Sequence, residues 1–283
     1  MSKSDSITII EPTGGWRFIN WSELWAYRDL LRLIVWRDFT ARYKQTILGP
    51  IWYVLQPLLM TLVFSVVFGT FAKIPTDGVP PTLFYLCGLL SWSYFAQTFQ
   101  TSSDTLTANA GLFGKVYFPR LIIPLSNVCS NLFTFAIQLA SFAGFFIAFK
   151  LFGHGQGFGL NPDAVLLPLV VLQVAAISLG VGLCFSALTT KFRDLQVLSG
   201  FLIQLWLYAT PVIYPLSKVP ERWLWVSALN PMSFPVSFFR HALLNTPAPG
   251  WPLTISSLVI TAAFFLAGIF LFRRVEKTFV DVA

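Results

Sequence analysis

Six intervals of this chain contain no Asp, Glu, Lys or Arg: 45–72, 78–103, 121–149, 164–190, 195–217 and 242–272. Each can hold a helix of about 20 residues, the length that crosses a hydrocarbon layer of roughly 30 Å. An ionised side chain at mid-bilayer costs about 2.5 kcal/mol or more, so runs this long and this clean predict an all-α membrane protein with six transmembrane helices. Composition agrees: 55% of the 283 residues are hydrophobic and 11% are charged, less than half the roughly 25% charged of a soluble domain. Six spans and their connections use nearly all of the chain. The expected organisation is one transmembrane domain over 1–283, with a cytoplasmic segment at 1–45, a six-helix bundle at 46–272 and a cytoplasmic tail at 273–283.

The net charge of +7 does not point to nucleic acid, because the basic residues lie between apolar runs instead of forming a patch on a polar fold. Their distribution sets an orientation, since Lys and Arg concentrate on the cytoplasmic side of short loops. Fourteen belong to the N-terminal segment, the second and fourth connections and the tail. Five, Lys73, Lys150, Lys218, Arg222 and Arg240, fall on the opposite face. Both termini are therefore expected in the cytoplasm. Cys87, Cys129 and Cys184 sit inside apolar runs without the paired spacing of a zinc or redox site, and read as small core residues. Residues 1–11 lack a signal-peptide pattern, so the first span is expected in the mature protein.

Ahead of the first span, Asn20 and Glu23 fit a capping box, with Leu24, Tyr27, Leu31, Ile34 and Val35 at helical spacing. Arg28, Asp29 and Arg32 fall on the other face, and Trp21, Trp25 and Trp36 flank the segment. It reads as an amphipathic helix in the cytoplasmic interface; a solvent-facing helix packed on a partner fits the same pattern. Gly49-Pro50 ends it and opens the next helix, and Pro57 is expected to kink the first span. Between the fifth and sixth spans, 223–229 and 234–244 are apolar but too short to cross, and Asn230-Pro231 separates them. Re-entrant helices suit them, as do two helices lying on the outer surface.

Gly111-Leu112-Phe113-Gly114-Lys115 lacks the spacing and the Ser or Thr of a phosphate-binding loop, so any ATP must be hydrolysed on another chain. Gly153, Gly155, Gly157 and Gly159 read as a flexible linker. The spans carry no acid, base or metal-ligand cluster, which disfavours a membrane enzyme and an ion-coupled carrier alike. His154 and His241 have no evident partner, and Asp104, Asp163, Asp194 and Glu221 read as loop carboxylates at span edges. Aromatic residues are abundant instead: 29 Phe, 10 Trp and 8 Tyr. Trp52, Tyr53, Phe64, Phe68, Trp92, Tyr94, Trp206 and Tyr208 are candidates for lining a path on which sugar rings slide, against the alternative of lipid-facing packing. Leu112, Phe113 and Lys115 combine apolar and basic character on a connecting loop, as either a partner contact or a membrane anchor does.

From Trp36-Arg37-Asp38 through Arg42-Tyr43-Lys44 to Gln45-Thr46-Ile47-Leu48-Gly49-Pro50-Ile51-Trp52-Tyr53-Val54-Leu55-Gln56-Pro57, the sequence resembles permeases of ATP-binding-cassette polysaccharide exporters, which move O-antigen, teichoic acid and related polymers. Phe118-Pro119-Arg120, Lys191-Phe192-Arg193-Asp194 and Leu229-Asn230-Pro231-Met232 extend the resemblance over nearly the whole chain. It implies a bacterial inner-membrane homodimer bound to two copies of a separate ATPase, which carries the ATP and Mg²⁺; this chain would hold no cofactor. It further implies a lipid-linked polysaccharide as cargo. The interface helix and the loop at Leu112, Phe113 and Lys115 would contact the ATPase, and the segment with Phe234, Phe238 and Phe239 would gate the outer exit. Arg37, Arg42 and Lys44 would then suit the diphosphate of the lipid carrier.

Overall fold

An apolar segment in lipid has no water to bond its backbone, so it satisfies its N–H and C=O groups internally as a helix. The computed structural model describes residues 21–43, 51–113, 115–152, 157–192 and 194–279, and the regular structure within them is helical. Helices α1 (Trp21–Ala26) and α2 (Arg28–Tyr43) come first. Helix α3 (Trp52–Phe64), with Pro57 inside it, loosens into a π-helical stretch at Ser65–Phe71, where the Ala72 N–H reaches the Val67 carbonyl at 2.9 Å. A proline in the first turn opens α4 (Pro81–Ser103), where its missing N–H is not needed. Short helices α5 (Thr105–Ala108) and α6 (Ala110–Phe113) lead to α7 (Ile122–Leu151). A 3₁₀ turn at Pro162–Leu166 precedes α8 (Leu167–Thr189). Then follow α9 (Asp194–Ala209), α10 (Leu224–Leu229), α11 (Ser233–Leu244) and α12 (Trp251–Phe279). Asn20 and the Gly49-Pro50 break lie outside the described residues.

Four helical segments, Trp52–Phe71, Ile122–Leu151, Pro162–Thr189 and Trp251–Glu276, are long and apolar enough to cross a membrane. The chain is thus a multi-pass membrane protein. The intervals 78–103 and 195–217 also contain helices, but fall short of that measure for different reasons. Helix α9 has 16 residues. Helix α4 has 23, diluted by Ser91, Ser93, Gln97, Thr98, Gln100 and Thr101. Its position explains the dilution: α3, α7, α8, α9 and α11 all pack against it, so its polar side chains meet protein. Ser93 donates to Gln138 Oε1 at 2.7 Å, and the Asn131 amide donates to Thr101 Oγ1 at 3.1 Å. Asn127 donates to the Thr101 carbonyl at 3.0 Å, and Gln100 to Ser199 Oγ at 3.3 Å. Side-chain bonds of this kind join helices where the hydrophobic effect offers no discrimination between protein and lipid.

The most extensive helix pairing is between α8 and α12. Gly180 and Gly268 permit it: a Cβ on Gly180 would meet the backbone of Phe264 and Phe265 at 2.6–2.7 Å, and one on Gly268 would collide with the Gly180 carbonyl. Two apolar cores result. The larger surrounds α4 and α11 with Leu83, Phe84, Phe95, Phe135, Val236 and Phe239. The smaller lies at the α2 end of the bundle and joins Ile34, Leu106, Phe113, Phe118, Leu183 and Phe272.

Candidate functional site

At the α2 end, Ile34 is buried and Leu24, Tyr27, Leu31 and Val35 are half-buried, while Trp25, Leu33 and Trp36 face outward. Helix α2 leans on α7, with the Phe39 and Phe133 rings 5.7 Å apart. Arg37 donates from Nε and Nη2 to one Asp38 carboxylate oxygen at 3.0 and 2.8 Å, so part of its donor capacity is already engaged. Arg42 falls in the last turn of α2, and Lys44 lies outside the described residues.

The connection from α4 to α7 sorts its side chains. Phe113 is 8% exposed and packs on Phe118 at 5.8 Å between ring centroids, with the Arg120 guanidinium 5.4 Å from its own ring centre. This corrects the expectation that Phe113 is displayed to a partner; the ring joins the smaller core because its large apolar surface finds Leu106, Phe118 and Ile122 nearby. Leu112, Lys115, Val116 and Tyr117 are what the connection presents outward.

The expected path-lining aromatics divide the same way. Trp52 and Tyr208 are exposed, and Tyr53, Phe68 and Trp206 are half-buried. Trp206 is committed: its indole N–H donates to Asn230 Oδ1 at 3.0 Å, and its ring meets Phe95 edge-on. Phe64, Trp92 and Tyr94 are buried core residues within this chain, with Phe64 edge-on to Tyr85, Trp92 tilted on Phe95 and Tyr94 on Phe135.

At the opposite end, α11 is buried at all twelve positions. Phe234, Phe238 and Phe239, expected at an outer gate, turn into the core, Phe239 edge-on to Phe135. What anchors α11 is a residue that sequence reasoning counted only as a surface cation. Arg240 is 3% exposed, its guanidinium stacks 3.6 Å from the Phe84 ring centre, and it donates to the carbonyls of Phe84, Pro211, Val212 and Tyr214. Four carbonyl dipoles take the place of water around the charge. Gly88 leaves the room, since a Cβ there would lie 2.5 Å from Nη2.

His241, one residue on, has partners that spacing did not reveal. Nδ1 faces the Thr246 carbonyl at 2.7 Å and Nε2 faces the Asp163 carboxylate at 3.0 Å. Both ring nitrogens are thereby engaged, one with each partner. Arg240 thus ties α11 to α4 and to the turn after α9, and His241 ties it to the turn before α8. A cavity of about 170 Å³ lies beside this anchor, lined by Asp77, Ser217, Ser237, Arg240 and the Thr246–Pro249 stretch. Among the described residues, no group of three or more His, Cys, Asp and Glu is placed to hold a metal.

A buried cationic anchor, exposed tryptophans at one end and a central helix with polar side chains among its apolar ones fit a membrane protein without naming it. Residues 29–244, from the start of α2 to the last residue of α11, match the profile of the ABC-2 type transporter family. The chain belongs to the ABC-2 type transporter family. Among similar proteins, the O-antigen export system permease protein RfbA of Myxococcus xanthus is 32% identical over 264 residues, covering 90% of this chain and 96% of that protein. A protein of the same name from Klebsiella pneumoniae is 27% identical over 258 residues, with 90% and 95% covered. The polysialic acid transport protein KpsM of Escherichia coli is 23% identical over 244 residues, with 86% and 90% covered. As an ABC-2 permease, the chain is the membrane component of a transporter that works with an ATP-binding subunit.

Proposed function

We propose that this ABC-2 permease exports a lipid-linked polysaccharide of the O-antigen kind across the bacterial inner membrane, driven by ATP hydrolysed with Mg²⁺ on a separate subunit. The carrying observation is that three proteins named for O-antigen export or polysialic acid transport align with it over nearly their whole lengths. Helices α3, α4, α7, α8, α9 and α12 serve as six spans, with both termini in the cytoplasm as the fourteen-to-five basic asymmetry favours. Helix α11 dips back into the membrane, where its wholly buried surface is covered by protein. Trp223 and Trp225 beside it are exposed, and rest at the outer interface.

Two copies of the chain assemble with two ATPase subunits, which meet Trp25, Leu33 and Trp36 of α2 together with Leu112, Lys115, Val116 and Tyr117. Arg37, Arg42 and Lys44 receive the carrier diphosphate from the cytoplasmic leaflet. Trp52, Tyr53, Phe68 and Tyr208 supply aromatic faces along the path, and α11 as a body, held by Arg240 and His241, guards the exit. The test uses inverted membrane vesicles containing the permease and its ATPase: ATP should drive lipid-linked polymer into the lumen. Movement of polymer without ATP, or its absence with an active ATPase, contradicts the proposal.

A further inference from the structure

The last four carbonyls of an α-helix lack partners within the helix. Helix α12 runs to Phe279, so the Glu276 carbonyl is one of them. It is met from 156 residues away: Arg120 Nη1 donates to it. A cation at this position also complements the negative end of the helix dipole. The same guanidinium lies 5.4 Å from the Phe113 ring centre, and Phe113 and Phe118 belong to the core that includes Ile34 of α2, Leu183 of α8 and Phe272 of α12. One side chain therefore touches both the α4–α7 connection and the C-terminal end of α12, and the connection's other side chains, Leu112, Lys115, Val116 and Tyr117, point outward.

We infer that Arg120 is a positioning residue of the transport cycle, clamping the α4–α7 connection to the end of α12 so that a push on that connection displaces α12. Helix α8 follows, because the backbones at Gly180 and Gly268 are too close to slide independently. The inference rests on the proposed ATPase contact at that connection. Packing against Phe113 steadies the guanidinium within the connection, and its bond to the Glu276 carbonyl is the directional contact through which a push would reach α12.

The test places the permease and its ATPase in proteoliposomes with lipid-linked polymer, and compares wild type with Arg120→Gln, Arg120→Lys and Phe113→Leu. ATPase co-purification, ATP turnover, polymer moved per ATP and apparent melting temperature are read for each. Arg120→Gln should retain co-purification and ATP turnover while polymer per ATP falls about tenfold, the order expected when one charge-assisted bond stops biasing a two-state coupling. Arg120→Lys, which keeps a cation able to donate to the Glu276 carbonyl but loses the planar guanidinium, should restore part of it, and Phe113→Leu should fall between wild type and Arg120→Gln. An unchanged ratio in Arg120→Gln overturns the inference. So does a parallel fall of turnover, transport and melting temperature in all three variants, which assigns Arg120 to stability alone. Wild-type proteoliposomes that hydrolyse ATP but move no polymer overturn the export reading itself.

Discussion

Arg240 is the side chain on which most of the α11 end depends. Among the described residues no carboxylate pairs directly with this guanidinium, which is tolerated inside the bundle because backbone carbonyls surround it. Its pocket is tight at Gly88. In Gly88→Ala, the new methyl would sit 2.5 Å from Nη2 and 3.2 Å from Cζ, and the group cannot withdraw without losing carbonyl bonds. Overpacking of this kind should lower stability by about 1–3 kcal/mol, read as a fall in apparent melting temperature in detergent. Gly111→Ala is the control: nothing lies within 4 Å of its added carbon, and the change should stay within about 0.5 kcal/mol. Equal effects from the two substitutions would contradict the Arg240 account.

Between helices, the decisive contact is α8 against α12. A Cβ on Gly180 meets backbone atoms, which cannot rotate aside as a side chain can. Gly180→Ala should therefore exceed Gly88→Ala in cost, reaching about 3 kcal/mol, and unchanged melting would show that the two helices do not meet there. Much of the helical pattern was legible beforehand. Exclusion of charge is a one-dimensional signal, and each of the six charge-free intervals holds a helix. Apolarity was a poorer guide for α4, because a helix enclosed by five neighbours is free to carry serine, threonine and glutamine. Helix faces were not legible. In an almost wholly apolar span no periodicity separates the buried Trp92 and Tyr94 from the exposed Trp52 and Tyr208. Pairings between distant segments left no trace either: His241 and Asp163 are 78 residues apart, and Arg120 and Glu276 are 156 apart. Phe113 was misread because a ring on a charged loop looks displayed until the core beneath it is known.

In the whole molecule, an inner core around α4 and α11 and a second core at the α2 end join the two surfaces that an exporter must coordinate. Leu59, Leu62 and Val63 on α3 and Val197, Phe201 and Leu205 on α9 remain exposed in the single chain, as faces for lipid or for a second copy do. Apolar and aromatic surfaces of this kind suit sugar faces in general, so the proposed cargo is a class, a polysaccharide on a lipid carrier, and not one particular sugar. The most direct test is to delete the gene and locate the lipid-linked polymer by membrane fractionation and glycolipid blotting, with the restored gene as control. Export after synthesis requires polymer to accumulate on the cytoplasmic side and to reach the surface again on restoration. Surface polymer at normal levels, with no accumulation inside, would contradict the account.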